Sequence, residues 1–205
     1  MSQPVKSISK ISRSLGEKLF LKGERDEGPK SAMVRRPYPP GQHGQNRRGK
    51  PSDYCMQLKE KQKLRYLYNL SEKQLRKLIT IASRSKSNTS ERLLQMLERR
   101  LDNILYISNY AESRRHARQL VSHRHVKLNG RKVSVPSIMV TPKDKITVLV
   151  EGQDKNSARK RPDVPDWLKI DKKTNEIAMV AEPTLTDVQN NVDVQLIIEY
   201  YSRLM

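Results

Sequence analysis

Cysteine, aromatic side chains and long apolar runs are scarce in this sequence of 205 residues, and each scarcity excludes a class of protein. Cys55 is the only cysteine, which rules out an internal disulfide framework and fits a reducing compartment. No run approaches the ~20 apolar residues that a membrane-spanning helix requires, and no apolar signal segment follows the first residues. Aromatic residues, at 5%, are too few for a helix anchored on a membrane surface. We therefore expect a cytoplasmic protein with no membrane partner.

Acidic residues are also in short supply, and their distribution is uneven. The chain carries 41 Lys and Arg against 22 Asp and Glu, a formal net charge of +19. Basic residues outnumber acidic ones by 33 to 12 over residues 1–150, whereas 8 basic residues meet 10 acidic ones over residues 151–205. So much unneutralised charge repels itself in a compact chain, and a polyanion would relieve that repulsion. The charge pattern therefore indicates a nucleic-acid partner.

The first 51 residues show little periodicity, which indicates a basic arm rather than a domain. One face of a short helix is predicted from the spacing of Ile8, Ile11, Leu15 and Leu19. The stretch RRPYPPGQHGQNRRGK, residues 35–50, then combines three prolines and three glycines with five cations. Proline reduces the entropy lost on docking and glycine lets backbone amides approach phosphates, so a clamp on RNA is predicted, with a plain flexible linker as the alternative. The predicted contacts are Arg35, Arg36, Tyr38, Gln42, His43, Arg47, Arg48 and Lys50.

Three helices are predicted between residues 52 and 106. Ser52 and Asp53 supply N-cap chemistry for the basic segment DYCMQLKEKQKLRYLY, and Ser71 with Gln74 forms a capping box for the next helix. The third helix is predicted to begin near residues 89–91 and to run through Leu101, and a helix is predicted to end near residue 106. Candidate RNA contacts on the first of these helices are Lys59, Lys63 and Arg65. Tyr66 and Tyr68 are equally compatible with stacking on bases and with a place in the core.

A cationic helix followed by a cationic hairpin is predicted next. Ser113 precedes the helical segment RRHARQLVS, and the hydrophobic period then switches to two in HVKLNGRKV. Asn129-Gly130 is a strong signal for a two-residue hairpin turn, and KITVLV, residues 145–150, is predicted to add a strand. The candidate RNA contacts here are Arg99, Arg100, Arg114, Arg115, Arg118, His123, Arg124, Lys127 and Asn129. Arg99 and Arg100 are alternatively a solvated helix face.

Several of these segments resemble a known family. LERRLDNILY, SRRHARQLV and HVKLNGRKV resemble the S4-type RNA-binding module, while YPPGQHG, SDYCMQLKEKQKLR and LIIEYYSR resemble the bacterial-type S4 family of small-subunit ribosomal proteins. The resemblance covers residues 15–203 and implies an α+β fold. It implies a basic arm at 1–51, a helical domain at 52–96 joined by the C-terminal segment 186–205, an inserted module of two helices and a short β-sheet at 97–160, and an acidic connecting segment at 161–185. Trp167 is predicted to anchor that acidic segment to the basic domain.

The resemblance also implies a function. It implies a structural, non-catalytic constituent of the small ribosomal subunit that binds rRNA early, nucleates assembly and lies near the mRNA entrance. The implied partners are small-subunit rRNA, neighbouring small-subunit proteins and mRNA, with no small-molecule substrate and no cofactor.

Two features of the chain depart from the family pattern. Many S4 family members hold the arm with a four-cysteine zinc knot, and the matching positions here are Ser9, Ser12, Asp26 and Ser31. Hydroxyls are poor zinc ligands and a lone carboxylate cannot close a tetrahedral site, so no metal site is predicted. Arg124 stands where many members have glycine, which adds a charge at a local turn.

Three other functions are weighed against this one. An RNA-modifying enzyme could carry the same module, but the remaining segments are too short for a catalytic α/β domain and contain no glycine-rich phosphate cradle. A sequence-specific DNA reader would need a helix-turn-helix, which two helices leading into a hairpin do not supply. The four histidines, His43, His116, His123 and His125, could act as acid and base in RNA cleavage, but their basic surroundings favour contact with phosphates or bases.

Overall fold

The computed structural model describes residues 7–26, 28–46, 49–85, 88–149, 164–171, 174–184 and 192–203. The chain forms two compact units. The first comprises Met1–Leu67 with Val192–Met205, and the second comprises Tyr68–Asn191. The mixture of helices with one small antiparallel sheet confirms the predicted α+β class.

The first unit contains short elements from the arm and two longer helices. They are α1 (Ile8–Leu15), a 3-10 turn (Gly23–Asp26), α2 (Ala32–Arg35), α3 (Asp53–Leu67) and the C-terminal α8 (Val194–Ser202). Ile11, Leu19 and Leu21 form a small buried cluster, against which Ile8, Leu15 and Tyr66 pack. The predicted short helix is confirmed, although Leu19 lies beyond its end and reaches the cluster from the following loop. The arm therefore has a small core of its own.

Helices α3 and α8 pack against each other within this unit, although about 130 residues separate them along the chain. Ile197 and Tyr201 of α8 and Leu64 of α3 are buried. Asp193 caps α8, because its carboxylate accepts hydrogen bonds from the amides of Gln195 and Leu196. The two ends of the chain are thus joined in one unit.

The second unit begins with four helices. They are α4 (Glu72–Ser83), α5 (Thr89–Glu98), α6 (Leu101–Ile107) and α7 (Arg114–Ser122). The predicted capping box is present at the start of α4, where Ser71 and Gln74 each accept the other's backbone amide. Ser113 caps α7 as predicted, since its hydroxyl accepts a hydrogen bond from the amide of His116.

The prediction that the third helix runs through Leu101 is wrong, because α5 ends at Glu98. The chain leaves the helical conformation at Arg100, whose φ and ψ are −67° and 137°, and starts again as α6. The reason is a pairing with a distant segment: Arg100 forms an isolated antiparallel bridge with Met139. The amide of Leu101 donates to the carbonyl of Ile138 at 2.9 Å, so the segment around residue 139 takes over hydrogen bonds that a continuous helix would satisfy internally.

Five antiparallel strands complete the second unit. They are β1 (Val126–Leu128), β2 (Arg131–Val133), β3 (Lys145–Val148), β4 (Leu168–Asp171) and β5 (Glu176–Met179), in the order β2-β1-β3-β5-β4. The predicted hairpin is present, with Leu128 opposite Arg131 and positive φ values of 50° at Asn129 and 80° at Gly130. Strands β4 and β5 were missed, because the segment 161–185 was predicted only to connect.

The core of the second unit lies between this sheet and helices α6 and α7. It takes buried side chains from both helices and from four strands, including Leu105, Val121, Ile146 and Ile177. Trp167 is buried in the same core at 4% exposure. Burial of an aliphatic side chain such as Leu105 or Ile146 contributes about 1.5–3 kcal/mol to the free energy of folding relative to an exposed position. Within the described residues, no helix has the length and apolarity to cross a membrane.

Candidate nucleic-acid interface

Most of the RNA contacts predicted between residues 99 and 129 lie in the second unit, on helix α7, on the β1–β2 hairpin or in the turn between them. The apolar face of α7 is buried through Ala117, Leu120 and Val121, as predicted. The following turn and strands leave a row of basic side chains at the surface or partly exposed. These are His123, Arg124, Lys127, Arg131 and Lys132.

The turn between α7 and β1 depends on a strained residue. Arg124 has φ of 62°, in the left-handed region, and its amide donates to the carbonyl of Val121 at 2.9 Å. A side chain in this region costs on the order of 1–2 kcal/mol, which glycine avoids. The turn is therefore of the kind that glycine favours, and this chain places an exposed cation there. The rings of His123 and His125 stack beside it, with centroids 6.3 Å apart.

Arg114 is held by the protein on three sides. Its guanidinium lies 4.7 Å from the ring centroid of Tyr68 and 4.5 Å from that of Tyr106, and its Nε donates to Oδ1 of Asn103 at 2.7 Å. Asn103 donates in turn to the buried carboxylate of Glu98 at 2.7 Å. The hydroxyl of Tyr68 donates to the other oxygen of the Glu98 carboxylate. Arg114 is thus a fixed, half-exposed cation and not a mobile surface side chain.

The same contacts decide between the two roles left open for the tyrosines. Tyr68 is buried at 2% exposure, and half-buried Tyr66 packs on the apolar cluster of the arm. The guanidinium of Arg65 also covers the ring of Tyr66, with 4.7 Å to its centroid. Both rings therefore have places in the protein core.

Arg100 is removed from the candidate interface by the structure. Its side chain is only 3% exposed, and its Nε and Nη2 donate to the two carboxylate oxygens of Asp102 at 3.0 and 2.8 Å. A buried bidentate pair of this kind already neutralises the charge. The prediction of Arg100 as an RNA contact is replaced by a structural role at the start of α6.

Arg118 and Arg99 have mixed surroundings. Arg118 lies 3.7 Å from the Asp102 carboxylate and donates weakly to the carbonyl of Asn69 at 3.4 Å. Burial lowers the pKa of its guanidinium from the ordinary value, although the Asp102 charge opposes this. Arg99 donates to the carbonyl of Val140 at 3.0 Å and pairs with Glu182 at 2.7 Å. Much of the binding capacity of both arginines is used inside their own unit.

Asn129 joins the hairpin to the turn before β3. The side-chain nitrogen Nδ2 of Asn129 donates to the Asp144 carboxylate at 2.7 Å. Its side-chain oxygen Oδ1 accepts from the backbone amide of Lys145 at 2.9 Å. Asp144 also accepts from the amide and hydroxyl of Thr141, both at 2.8 Å. Burial raises the pKa of Asp144, but the hydrogen bonds from Asn129 and Thr141 outweigh it and lower the pKa below the ordinary value. Asn129 is thus mainly a residue that shapes the hairpin.

The predicted residues on α3 differ in exposure. Lys59 is exposed to solvent. The ammonium of Lys63 pairs with Glu17 at 2.7 Å and lies 3.7 Å from Glu60, with 8% of its side chain exposed. Lys59 is therefore the better placed of the two lysines to meet a ligand.

The proline-rich stretch of residues 35–50, called the ribbon below, is shaped by Arg13 of α1. The Nε of Arg13 donates to the carbonyls of Arg36 and Tyr38 at 3.1 and 2.9 Å, and its guanidinium covers the Tyr38 ring at 4.9 Å from the centroid. Gly44 approaches Pro39 so closely that an added Cβ would lie 2.0 Å from the Pro39 carbonyl oxygen. The backbone of the ribbon is thus folded onto itself by Arg13 and by a turn that only glycine allows.

The predicted contacts of the ribbon are mostly at the surface. Arg35, Arg36, Gln42, His43 and Lys50 are exposed and Tyr38 is half-buried. Arg47 and Arg48 lie outside the described residues. Sequence reasoning missed Arg13, because its contact with Arg36 joins residues 23 positions apart and depends on the fold. It also missed Arg131 and Lys132, which follow directly after the recognised turn.

The four positions matched to a zinc knot lie in and around the arm. Ser12 and Ser31 are buried at 6% and 2% exposure, and Ser9 accepts a hydrogen bond from the ammonium of Lys22 at 3.4 Å. The Asp26 carboxylate accepts the backbone amide of Lys22 at 2.9 Å. Within the part of the chain that the structure describes, no three His, Cys, Asp or Glu side chains are grouped so as to hold a metal ion.

Comparison with known proteins was made at the level of families and of individual chains. The family model described as Ribosomal protein S4/S9 N-terminal domain matches residues 5–98, and the one described as S4 domain matches residues 99–146. A Thermus thermophilus protein named small ribosomal subunit protein uS4 is 44% identical over 209 residues, covering 99% of this chain and 100% of that protein. Proteins of the same name from Chlorobaculum tepidum and Gloeobacter violaceus are 43% and 44% identical, each covering 96% of this chain and 97% of the relative.

Proposed function

Because the chain belongs to the ribosomal protein S4 family, we propose that it is a structural protein of the small ribosomal subunit that binds rRNA and catalyses no reaction. The observation that carries the proposal is identity above 40% over almost the whole chain to relatives named as small-subunit ribosomal proteins.

The surface chemistry of each unit supports RNA as the partner. In the second unit, the turn and hairpin after α7 present Arg124, Arg131 and Lys132 to solvent, while Lys127 is partly exposed. In the first unit, Arg35, Arg36, Lys50 and Lys59 are exposed. Cations spread over a surface contact phosphates and recognise the shape of folded RNA, which is how structured RNA is mostly bound. The proposed RNA-contacting set is therefore these residues with Arg114, Arg115, Arg118 and His123, and it omits Arg100.

Preformed contacts support an early role in assembly. Arg114 is fixed by two aromatic rings and by Asn103, and the ribbon is fixed by Arg13, so little conformational entropy remains to be lost on binding. A protein with a preorganised cationic surface can bind rRNA before other proteins arrive. We therefore propose that this chain nucleates small-subunit assembly.

Its place within the ribosome follows from the resemblance alone. We propose a position near the mRNA entrance, with mRNA and neighbouring small-subunit proteins as further partners, in a cytoplasmic ribosome. The four histidines are assigned to RNA contact or structure in this proposal and not to acid–base chemistry.

The salt dependence of binding tests the proposed function. Each neutralised phosphate contributes about 0.7 to 0.9 to the slope of log K against log salt, so a protein with several phosphate contacts should show a steep negative slope with small-subunit rRNA. Large-subunit rRNA at the same salt serves as the matched control and should bind more weakly. A flat salt dependence, or equal affinity for the two rRNAs, would count against the proposal.

A further inference from the structure

The turn between β1 and β2 contains the only Asn-Gly pair in the sequence, Asn129-Gly130. Asparagine is a thermally labile residue, because the backbone nitrogen of the following residue can attack the side-chain carbon Cγ. Glycine has no Cβ to hinder that approach, so an Asn-Gly pair is especially open to this reaction. Both residues of the pair are exposed, so water has access to the turn.

The structure holds the carboxamide of Asn129 by both of its polar atoms. Nδ2 donates to the Asp144 carboxylate at 2.7 Å, and Oδ1 accepts from the backbone amide of Lys145 at 2.9 Å. The backbone amide of Asn129 also donates to the carbonyl of Lys145 at 2.8 Å. The carboxamide cannot rotate towards the Gly130 nitrogen without breaking both side-chain hydrogen bonds. The folded turn therefore opposes the attack.

Asp144 is itself fixed, so its carboxylate can hold the carboxamide in one place. The other oxygen of this carboxylate accepts from the backbone amide and the hydroxyl of Thr141, both at 2.8 Å. Burial raises the pKa of Asp144, but its hydrogen bonds outweigh that effect and lower the pKa, which keeps the acceptor charged at neutral pH. A hydrogen bond to a charged acceptor is about twice as strong as one between neutral groups. The bond to Asp144 is therefore the stronger of the two that hold the carboxamide.

We propose that Asn129-Gly130 is a site of spontaneous deamidation and that Asp144 limits its rate by restraining the Asn129 carboxamide. When the turn opens locally, the Gly130 nitrogen bonds to Cγ of Asn129, and its proton passes to Nδ2. The Cγ–Nδ2 bond breaks, ammonia leaves, and a five-membered succinimide ring remains. One water molecule then opens the ring at either of its two carbonyl carbons, which leaves aspartate or isoaspartate at position 129.

Either product breaks the side-chain link between the hairpin and the turn before β3. Aspartate at position 129 places a second carboxylate where Nδ2 now donates to Asp144, and two like charges at that distance repel. Isoaspartate lengthens the backbone of a two-residue turn by one methylene group, which disturbs the pairing of Leu128 with Arg131. Deamidation thus alters the hairpin that carries the exposed side chains of Arg131 and Lys132.

Incubation of the full chain at neutral pH, followed by peptide mass spectrometry, measures the rate of deamidation at position 129. The Asp144→Ala variant loses the acceptor of Nδ2, and Asp166→Ala removes an exposed aspartate from the turn before β4 as a matched control. Loss of a hydrogen bond to a charged group should raise the rate in Asp144→Ala by about tenfold or more. The control should deamidate Asn129 at the wild-type rate. A rate in Asp144→Ala equal to or below that of the control would overturn the role of Asp144.

Wild type unfolded in urea supplies a measurement that does not depend on how either variant folds. Unfolding removes both hydrogen bonds of the carboxamide, so Asn129 should deamidate at least about tenfold faster than in the folded protein. Equal rates in the two states would show that the fold does not restrain the carboxamide, and the proposal would fail.

The Asn129→Asp variant imitates one product and tests the consequence of the reaction. Loss of the hydrogen bond from Nδ2 and repulsion by the new carboxylate should both raise the pKa of Asp144 above its wild-type value. NMR titration of the Asp144 carboxyl carbon in the two proteins measures this change. An unchanged pKa would show that Asn129 does not restrain or sense Asp144, which contradicts the proposal.

Discussion

The guanidinium of Arg114 on α7 is held by protein groups on three sides. Two tyrosine rings and Asn103 hold it, and Asn103 is held by the buried Glu98. Arg115, one position later, is half-exposed and adjoins the same face. Arg114 thus has a structural role in its own unit, because its guanidinium contacts Tyr68 and two residues of α6.

We predict that Arg114→Lys destabilises the protein although it keeps the charge. Lysine has neither the planar group that covers two rings nor the fork that reaches Asn103, and each lost cation–π contact or hydrogen bond is worth on the order of 1 kcal/mol. Urea unfolding should show a loss of about 1–3 kcal/mol. Arg115→Lys is the matched control, and an equal effect of the two substitutions would show that the contacts of Arg114 add nothing to stability.

At the scale of elements, the β1–β2 hairpin is joined to the rest of its sheet by side chains as well as by strand pairing. Asn129 binds both Asp144 and the amide of Lys145, so the tip of the hairpin is tied to the turn that begins β3. The hairpin carries exposed Arg131 and Lys132. The link therefore fixes the position of the hairpin that carries two cations of the proposed RNA surface.

We predict that Asp144 titrates below its ordinary value of 3.8, since its hydrogen bonds from Asn129 and Thr141 stabilise the charged form. A group with a depressed folded pKa contributes its stability above the unfolded value and loses it as the pH falls through the folded pKa. The free-energy difference between wild type and Asp144→Asn should thus be constant near neutral pH and shrink below about pH 4. NMR titration of the Asp144 carboxyl carbon measures the pKa directly, and a value at or above 3.8 would contradict the prediction.

At the scale of the whole molecule, each of the two units has its own hydrophobic cluster. The core of the second unit draws on α6, α7 and strands β1, β3, β4 and β5, which all lie between residues 101 and 179. The first unit, in contrast, needs both ends of the chain, because α8 packs on α3. The domain boundaries predicted from sequence remain a prediction, since compactness alone does not show which segments fold independently.

We predict that a fragment of residues 68–191 folds by itself, whereas a fragment of residues 97–160 does not. The shorter fragment lacks β4 and β5 and with them the buried side chains of Trp167, Leu168, Ile177 and Met179. Losing several such side chains removes more stabilisation than a small domain can spare. Cooperative thermal unfolding, followed by circular dichroism for both fragments, measures the difference. A cooperative transition in the shorter fragment would show that β4 and β5 are dispensable for folding.

The sequence by itself determined the features whose causes are close together along the chain. Three local features each depend on a few neighbouring residues, so their sequence patterns were sufficient to predict them: the Ser71–Gln74 capping box, the Ser113 cap and the Asn129-Gly130 turn. The excess of cations follows directly from the composition. The α+β class followed from these elements and from the resemblance of their motifs to the S4 family.

Only the tertiary structure decided which cations are free and where distant segments meet. Arg100 carries the same charge as Arg99, yet the bridge to Met139 breaks the helix there and turns its side chain into a buried pair with Asp102. Likewise β5 pairs with β3 across about 30 residues of chain, and no local pattern in the segment 161–185 specified that partner. The physical reason is that burial and pairing are properties of the folded surroundings: a residue's type sets what it can bind, and the chain's path sets what it meets.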